Sequence, residues 1–378
     1  MLILWIFAGA AAFFFLQGWV YRRFWSRGLS ARLAFLSESA MEGEECQLLQ
    51  QVENRKTLSL PMLKVKFQLS RKLKFGDEGD AAVTDKYYRN DILSLGPNQR
   101  VTRKITFLCS ARGYYRINGM DLVCSDLLLT REMVREIEGE STLYVYPKPA
   151  YSLELMAAVR KLNGEILAKR HVLEDPFEYR GIREYAPFDE MKTINWKATA
   201  RMDSLMVNMK GYTSLRAVRI FVNLDDTGIL QYEELLELCI RVAVRLIMEL
   251  LEQGMRVSVY CNGKDCLTGE AMVMMPGAGA GHMESVNRSF ARLNLSEKAW
   301  PFAETFSREL EEDGKDTATV FVSVDRSEAF QEQIGRFASA GMDFAWFCPL
   351  YPRMDAMVEE PERLHFVRLN AEELLDEL

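Results

Sequence analysis

The sequence predicts a multidomain chain: an N-terminal transmembrane helix, an immunoglobulin-like β-sandwich, then an α/β domain with a doubly wound sheet. Three observations carry this expectation. Leu2 to Tyr21 contains no charged residue and is dense in Leu, Ile, Trp, Phe and Ala. Between about Leu29 and Pro149, short stretches alternate apolar and polar side chains, the period of a half-buried strand. From Ala217 onward, apolar strand-like runs alternate with amphipathic helical stretches.

The first element has the length of a membrane span, since roughly 20 apolar residues rising ~1.5 Å each cross a hydrocarbon core of about 30 Å. Gln17, Gly9 and Gly18 are tolerable within it because helix hydrogen bonds are internal to the segment. Arg22, Arg23, Arg27 and Arg32 follow at once, and the positive-inside rule places that side in the cytoplasm. A cleaved signal peptide carries its basic residues before a shorter apolar core, the reverse of this order. The expected topology is a single-pass anchor, residues 1–25, in the cell membrane, with cytoplasmic soluble domains.

Seven scattered cysteines, an odd number, suit reduced thiols in the cytosol rather than a disulfide framework. Cys261 and Cys266 lie close together, but no second pair or histidine cluster completes a zinc site. A formal net charge of −7 argues against general nucleic-acid binding, which needs a basic face.

Within the sandwich, residues 29–150, Leu63-Lys64-Val65-Lys66-Phe67-Gln68-Leu69 alternates cleanly. Similar runs lie around Ala34, Leu48, Ile92, Ile105, Tyr115 and Leu122, with a last one at Leu143–Tyr146. Gly76-Asp77, Gly96-Pro97-Asn98 and Asn118-Gly119 read as the turns between strands. About seven short strands with this spacing point to an antiparallel sandwich.

In the last part, residues 216–378, Val218–Leu224 reads as a buried strand and Leu235–Leu251 as a long amphipathic helix stopped by Gly254. Further strands are expected at Val257–Tyr260, Thr319–Val324, Phe344–Phe347 and Leu364–Leu369, with a helix near Glu328–Ala338. Residues 151–215 connect the two domains. There, charges and aromatics interleave without helix or strand periodicity from Asp175 to Asp189 and again from Ile194 to Arg201. An ordered, salt-bridged loop against a sheet edge fits that composition.

At Arg183, Tyr185, Asp189, Ile194, Trp196, Ala200 and Arg201 the chain resembles the bacterial and archaeal family named domain of unknown function 58, DUF58. Its pattern runs Phe, Arg-x-Tyr, Gly-Asp, Ile-x-Trp, Ala-Arg; here Phe188 replaces the glycine and Lys192 stands where arginine is common. The resemblance extends to Arg112-Gly113-Tyr114-Tyr115, which fits the family's Arg-Gly-x-Tyr hairpin. Ser125-Asp126-Leu127-Leu128-Leu129 keeps the aspartate that follows but lacks the common Pro-Phe-Gly. Members often have two membrane helices where one is found here.

The resemblance implies that residues 216–378 form a von Willebrand factor A-like domain. Such domains often hold a divalent cation such as Mg²⁺ through oxygen ligands. The matching positions are Asp225, Thr227 and, distally, Asp325, although Ile229 stands at a ligand position and cannot ligate. The other role for Asp225 or Asp226 is to cap the next helix. The resemblance further implies a partnership with a MoxR-type AAA+ ATPase and a transglutaminase-like membrane protein, encoded nearby in such cases.

Two roles fit the motif residues Arg183, Tyr185, Asp189, Trp196 and Arg201. They lock the connecting segment onto the last domain, or they form a docking surface for a protein. Enzyme signatures are sparse. His171, His282 and His365 are far apart in sequence, Gly314-Lys315-Asp316-Thr317 reads as a turn, and Gly277–Gly281 reads as a flexible loop. The sequence thus favours a non-enzymatic interaction protein, then a metal-dependent ligand-binding domain, then a hydrolase.

Overall fold

The structure is a computed structural model describing residues 2–76, 86–172, 174–187, 189–212, 217–225, 232–311, 317–339, 344–354, 358 and 364–376. Two compact units result: Met1–Lys148 with Asn287–Leu293, and Pro149–Val286 with Asn294–Leu378.

The first unit opens with α1 (Leu2–Phe24), whose apolar length suffices to cross a membrane. Among the described residues nine strands follow: β1 (Leu29–Phe35), β2 (Ser39–Met41), β3 (Glu45–Asn54), β4 (Leu60–Ser70), β5 (Leu73–Phe75), β6 (Lys86–Leu95), β7 (Gln99–Cys109), β8 (Gly113–Ser125) and β9 (Glu132–Tyr146). They form two sheets, ordered β1-β3-β7-β5 and β2-β9-β8-β4-β6. The alternation read from β4 is the one observed, with Leu63, Val65, Phe67 and Leu69 buried. These residues join Leu48, Val52, Phe107, Ile117 and Leu143 in one apolar core.

The same core takes in Tyr21 and Trp25 from the end of α1. Gln17, Gly18 and Tyr21 are also buried, so one stripe of the helix faces the sandwich, spaced about one turn apart. The Tyr21 hydroxyl donates to the Ser59 carbonyl at 2.9 Å.

Asn118-Gly119 is not a turn. It lies inside β8 as a bulge, with a register shift between Ile117 and Gly119 against β9. Gly119 has φ +141°, and a Cβ there would sit 2.5 Å from the Ile137 carbonyl oxygen, so only glycine fits. The runs around Tyr115 and Leu122 are therefore one strand. Asp77 lies outside the described residues. Gly96–Asn98 does turn between β6 and β7.

The Arg-Gly-x-Tyr stretch leads into β8. Arg112 is buried, and its guanidinium donates to the carbonyls of Phe290 at 2.7 Å and Leu293 at 3.0 Å. The Tyr115 hydroxyl donates back to the Ala111 carbonyl at 2.8 Å.

The second unit contains α2 (Leu153–Val172), the strands β10 (Glu174–Glu184) and β11 (Met206–Tyr212) with the short helix α3 (Trp196–Met202) between them, then β12 (Ala217–Asn223) and α4 (Glu233–Glu252). After these come β13 (Val257–Asp265), β14 (Ala271–Gly277), α5 (Ala280–Ala291), β15 (Leu293–Asn294), α6 (Phe302–Glu311), β16 (Thr317–Ser323), α7 (Glu328–Ser339), β17 (Phe344–Leu350), β18 (Leu364–Asn370) and α8 (Ala371–Asp376), with the end of α5 and Leu293 of β15 belonging to the first unit. The main sheet runs β14-β13-β12-β16-β17-β18, parallel throughout except for antiparallel β14. Every residue of β12 and of β17 is buried, as expected for parallel strands covered on both faces.

The amphipathic α4 packs on β12, β16 and β17. Its end is the predicted one: Gly254 has φ +72°, and the N–H groups of Gly254 and Met255 donate to Leu251 and Leu250 carbonyls. A separate cluster joins Phe302, Phe306 and Leu310 of α6 and Phe330 and Ile334 of α7 to Phe221, Phe321, Phe344 and Trp346. The Phe221 and Phe321 rings stack with centroids 5.4 Å apart.

Candidate functional site

The connecting segment has more regular structure than its composition suggests. β10 and β11 form an antiparallel pair, placing Arg183 opposite Val207 and Glu184 opposite Met206. The pairing carries two register shifts, between Asp175 and Gly181 on the β10 side, which is why no strand period is visible there. The chain that links the strands is organised by two polar residues.

Asp189 is the first. The Arg183 guanidinium grips its carboxylate with both terminal nitrogens, Nη1 to Oδ2 at 2.6 Å and Nη2 to Oδ1, and the Ala186 N–H adds a third bond at 2.8 Å. Hydrogen bonding from Arg183, then from Ala186, holds the Asp189 carboxyl below the usual carboxylate range and raises the Arg183 guanidinium. Asn195 is the second. Its side-chain oxygen caps α3 by accepting from the Ala198 N–H at 3.0 Å, and its amide donates to Asn208 on β11 at 2.6 Å. The Thr199 hydroxyl accepts from the Met206 N–H at 3.0 Å, and Ile194 is buried beside Met206 and Val207 in sequence register.

The motif thus divides in two. Arg183, Asp189, Ile194 and Asn195 are framework, and Tyr185 is half-buried with its N–H on the Leu205 carbonyl at 2.8 Å. Trp196 and Arg201 face solvent. Trp196 is 66% exposed, and Met191 and Met202 are similarly exposed, with Ile182 and Leu205 less so. Phe188 lies outside the described residues.

A second set of polar residues gathers at the C-terminal ends of the parallel strands, the edge where open α/β sheets bind ligands. Asn223 and Ser323 are register partners on β12 and β16, and Asp225 and Asp325 each follow two residues later. Local bonds use these groups. The Asn223 side chain accepts from the Asp225 N–H at 2.9 Å and from the Asn262 amide at 2.9 Å. The Ser323 hydroxyl accepts from the Asp325 N–H at 3.0 Å, and the Asp325 carboxylate accepts from the Ser327 N–H at 2.9 Å, just before α7.

At the start of α7 the Ser327 hydroxyl accepts from the Phe330 N–H at 3.3 Å and caps the helix. The N-cap residue of α4 is Tyr232, whose own side chain makes no cap bond. Asp226 and Thr227 lie outside the described residues. The recess beside Asp225, lined by Leu236, Glu297 and Lys298, has a volume of about 10 Å³, room for little beyond one water-sized particle.

Residues 181–301 match the family model described as protein of unknown function DUF58. That stretch takes in the whole Arg183–Arg201 motif and runs on through β12, α4 and α5. Comparison with curated proteins yields no match. Among solved structures, the chain is similar to a PapD-like domain of human CEP192, at 17% identity over 31% of this chain and 84% of that one, TM-score 0.21. It is also similar to a CARDB domain of the PF1109 protein from Pyrococcus furiosus (17% identity, 31% and 89% coverage, TM-score 0.21). A third similarity is to a cohesin module from a Clostridium perfringens glycoside hydrolase (7% identity, 31% and 95% coverage, TM-score 0.23).

The matched stretch also contains Gly277–Gly281, which runs from the end of β14 into the start of α5. The His282 imidazole lies so close to Gly277 that a Cβ would meet its Nδ1 at 2.2 Å. Gly314–Asp316 lie outside the described residues. None of the seven cysteines is in a disulfide, and burial pushes Cys109 and Cys348 up to about 12, so neither supplies a thiolate near neutrality. His282 and His365 sit on different elements, α5 and β18.

Outside the matched stretch, sequence reasoning missed a buried polar contact of the first helix. Gln17 of α1 donates to the Asp126 carboxylate at 3.1 Å. The available signal was a lone glutamine in an apolar run together with the aspartate after β8.

Proposed function

We propose that this chain is a membrane-anchored, non-enzymatic interaction protein that presents the Arg183–Arg201 face to a protein partner on the cytoplasmic side. The observation that carries this is Trp196, 66% exposed on a helix whose framework is hydrogen-bonded by Asn195 and Thr199. An indole left in water on a rigid support is a preorganised anchor for a partner's pocket. The exposed Met191 and Met202 beside it in sequence add adaptable apolar contact.

The family resemblance supports a MoxR-type AAA+ ATPase as that partner, with a transglutaminase-like membrane protein in the same assembly. The apolar span of α1 followed by Arg22, Arg23 and Arg27 supports the anchor and its cytoplasmic orientation. The parallel strand order and the helices α4, α6 and α7 support a von Willebrand factor A-like, doubly wound second unit.

The test is a pull-down and titration of the detergent-solubilised full chain with a purified MoxR-type ATPase. Trp196→Ala is expected to weaken binding at least about tenfold while leaving the thermal transition unchanged. Undiminished binding by the folded variant refutes this surface as the docking site. A divalent-cation site at Asp225 and Asp325 is the second reading, favoured by their matched positions on adjacent strands. Calorimetry with Mg²⁺, Mn²⁺ and Ca²⁺ decides it, and absence of both heat and thermal shift removes it.

A further inference from the structure

The turn after β8 is built on a buried carboxylate. Asp126, 1% exposed, accepts from the Thr130 N–H at 2.7 Å, the Thr130 hydroxyl at 2.6 Å and the Gln17 carboxamide at 3.1 Å. Its own N–H donates to the Arg131 carbonyl, and its carbonyl accepts from the Leu129 N–H, both at 3.1 Å. The turn is thereby closed and tied to α1. Outside it stand Leu127, Leu128 and Leu129, which are 46%, 46% and 60% exposed. Leu129 has φ +57°, a left-handed conformation that bulky residues avoid. Three consecutive leucines held outward over a polar framework contribute nothing to the sandwich core.

Their height along the helix identifies what covers them. Gln17 lies five residues before Arg22, the first charged side chain after the apolar run, so it sits about 7.5 Å to the apolar side of that charge. The Asp126 turn, bonded to Gln17, is level with the last apolar turns of α1, where Trp19 is also exposed. Any occupant of the leucines shares the surroundings of that part of the helix. The rim is basic: the Arg131 guanidinium lies against Gly18, and Arg135 donates to the Ser26 carbonyl at 2.7 Å, near Arg22 and Arg23 in sequence.

We propose that the Asp126–Arg131 turn is a membrane wedge. In the bilayer that α1 crosses, Leu127, Leu128 and Leu129 enter the boundary between acyl chains and headgroups, and the neighbouring arginines meet lipid phosphates. The proposal rests on α1 being a membrane span, and its test separates the two. The full chain is reconstituted in vesicles of phosphatidylethanolamine and phosphatidylglycerol, with an environment-sensitive dye on one cysteine at a time. Cys266, an exposed thiol among the described residues, serves as the aqueous reference. Leu128→Cys and Leu16→Cys, each with Cys266→Ser, report the turn and the helix.

Expected at position 128 is quenching by a nitroxide lipid labelled near its headgroup end, with iodide quenching several-fold weaker than at Cys266. A protected position 16 with a position 128 as open to iodide as Cys266 overturns the wedge and leaves the anchor standing. Iodide access at all three positions overturns both.

Discussion

The turn at Asp126 in the first unit and the turn at Asp189 in the second are both organised around an aspartate, and both hold large apolar side chains outward. They differ in what balances the carboxylate. Asp126 is buried, with a neutral hydroxyl, a backbone N–H and a carboxamide as its partners. Burial pushes its carboxyl up, but the Thr130 and Gln17 bonds outweigh this and leave it below the usual range. Asp189 keeps contact with solvent and is paired with the half-exposed Arg183 guanidinium. The first arrangement depends on shape and complete hydrogen bonding, and the second depends on charge. The difference separates a turn held by neutral donors from one held by an ion pair.

Substitution breaks the comparison most sharply at Asp126. Asp126→Ala strands the Thr130 and Gln17 donors and is expected to cost about 2–3 kcal/mol in thermal unfolding of the solubilised full chain. Asp189→Asn is expected to lower the thermal midpoint by less, and that loss shrinks as salt is added, because the Arg183 side of the pair is open to solvent and partly screened. At Asp126→Ala, added salt is expected to change nothing.

Acid sharpens the comparison further. Both carboxyls are depressed in the folded state, so each contributes stability above the ordinary carboxylate pKa of about 4 and loses it as pH falls through the folded value. The midpoint difference between the native chain and Asp189→Asn, measured from neutrality downward, is expected to persist to about pH 4 and then close. A gap that closes near neutrality would contradict the Arg183 pairing. The smallest effect is expected at Trp196→Ala, within about 0.5 kcal/mol of the native stability, since its side chain is mostly in water. A larger loss would move Trp196 from the surface into the framework.

Much of the architecture was legible because it rests on local period. The alternation of Leu63–Leu69 and the apolar stripe of α4 appear where expected, and Gly254 ends its helix as its conformation requires. What was not legible depended on long-range partners. The Asn118-Gly119 pair has turn chemistry, yet β9 stays paired across it and converts it to a bulge. The β10–β11 pairing hides behind two register shifts. At the candidate site, the motif named the residues but not their division. Arg183 and Trp196 look alike as interface residues in sequence, and only the Asp189 contact separates framework from exposed face. Gln17 looked like a tolerated polar residue in a membrane helix because its partner lies 109 positions away.

The burial of Tyr21 and Trp25 in the sandwich core has a mechanical consequence. A helix joined to its domain by a loose linker transmits no torque. Here the last turns of α1 are built into the β-structure, so helix and sandwich move as one lever. In the anchored chain proposed above, a change of bilayer thickness that alters the tilt of α1 would carry the sandwich with it. Membrane geometry would thereby reach the β-structure as a change of attitude, with no ligand as intermediary.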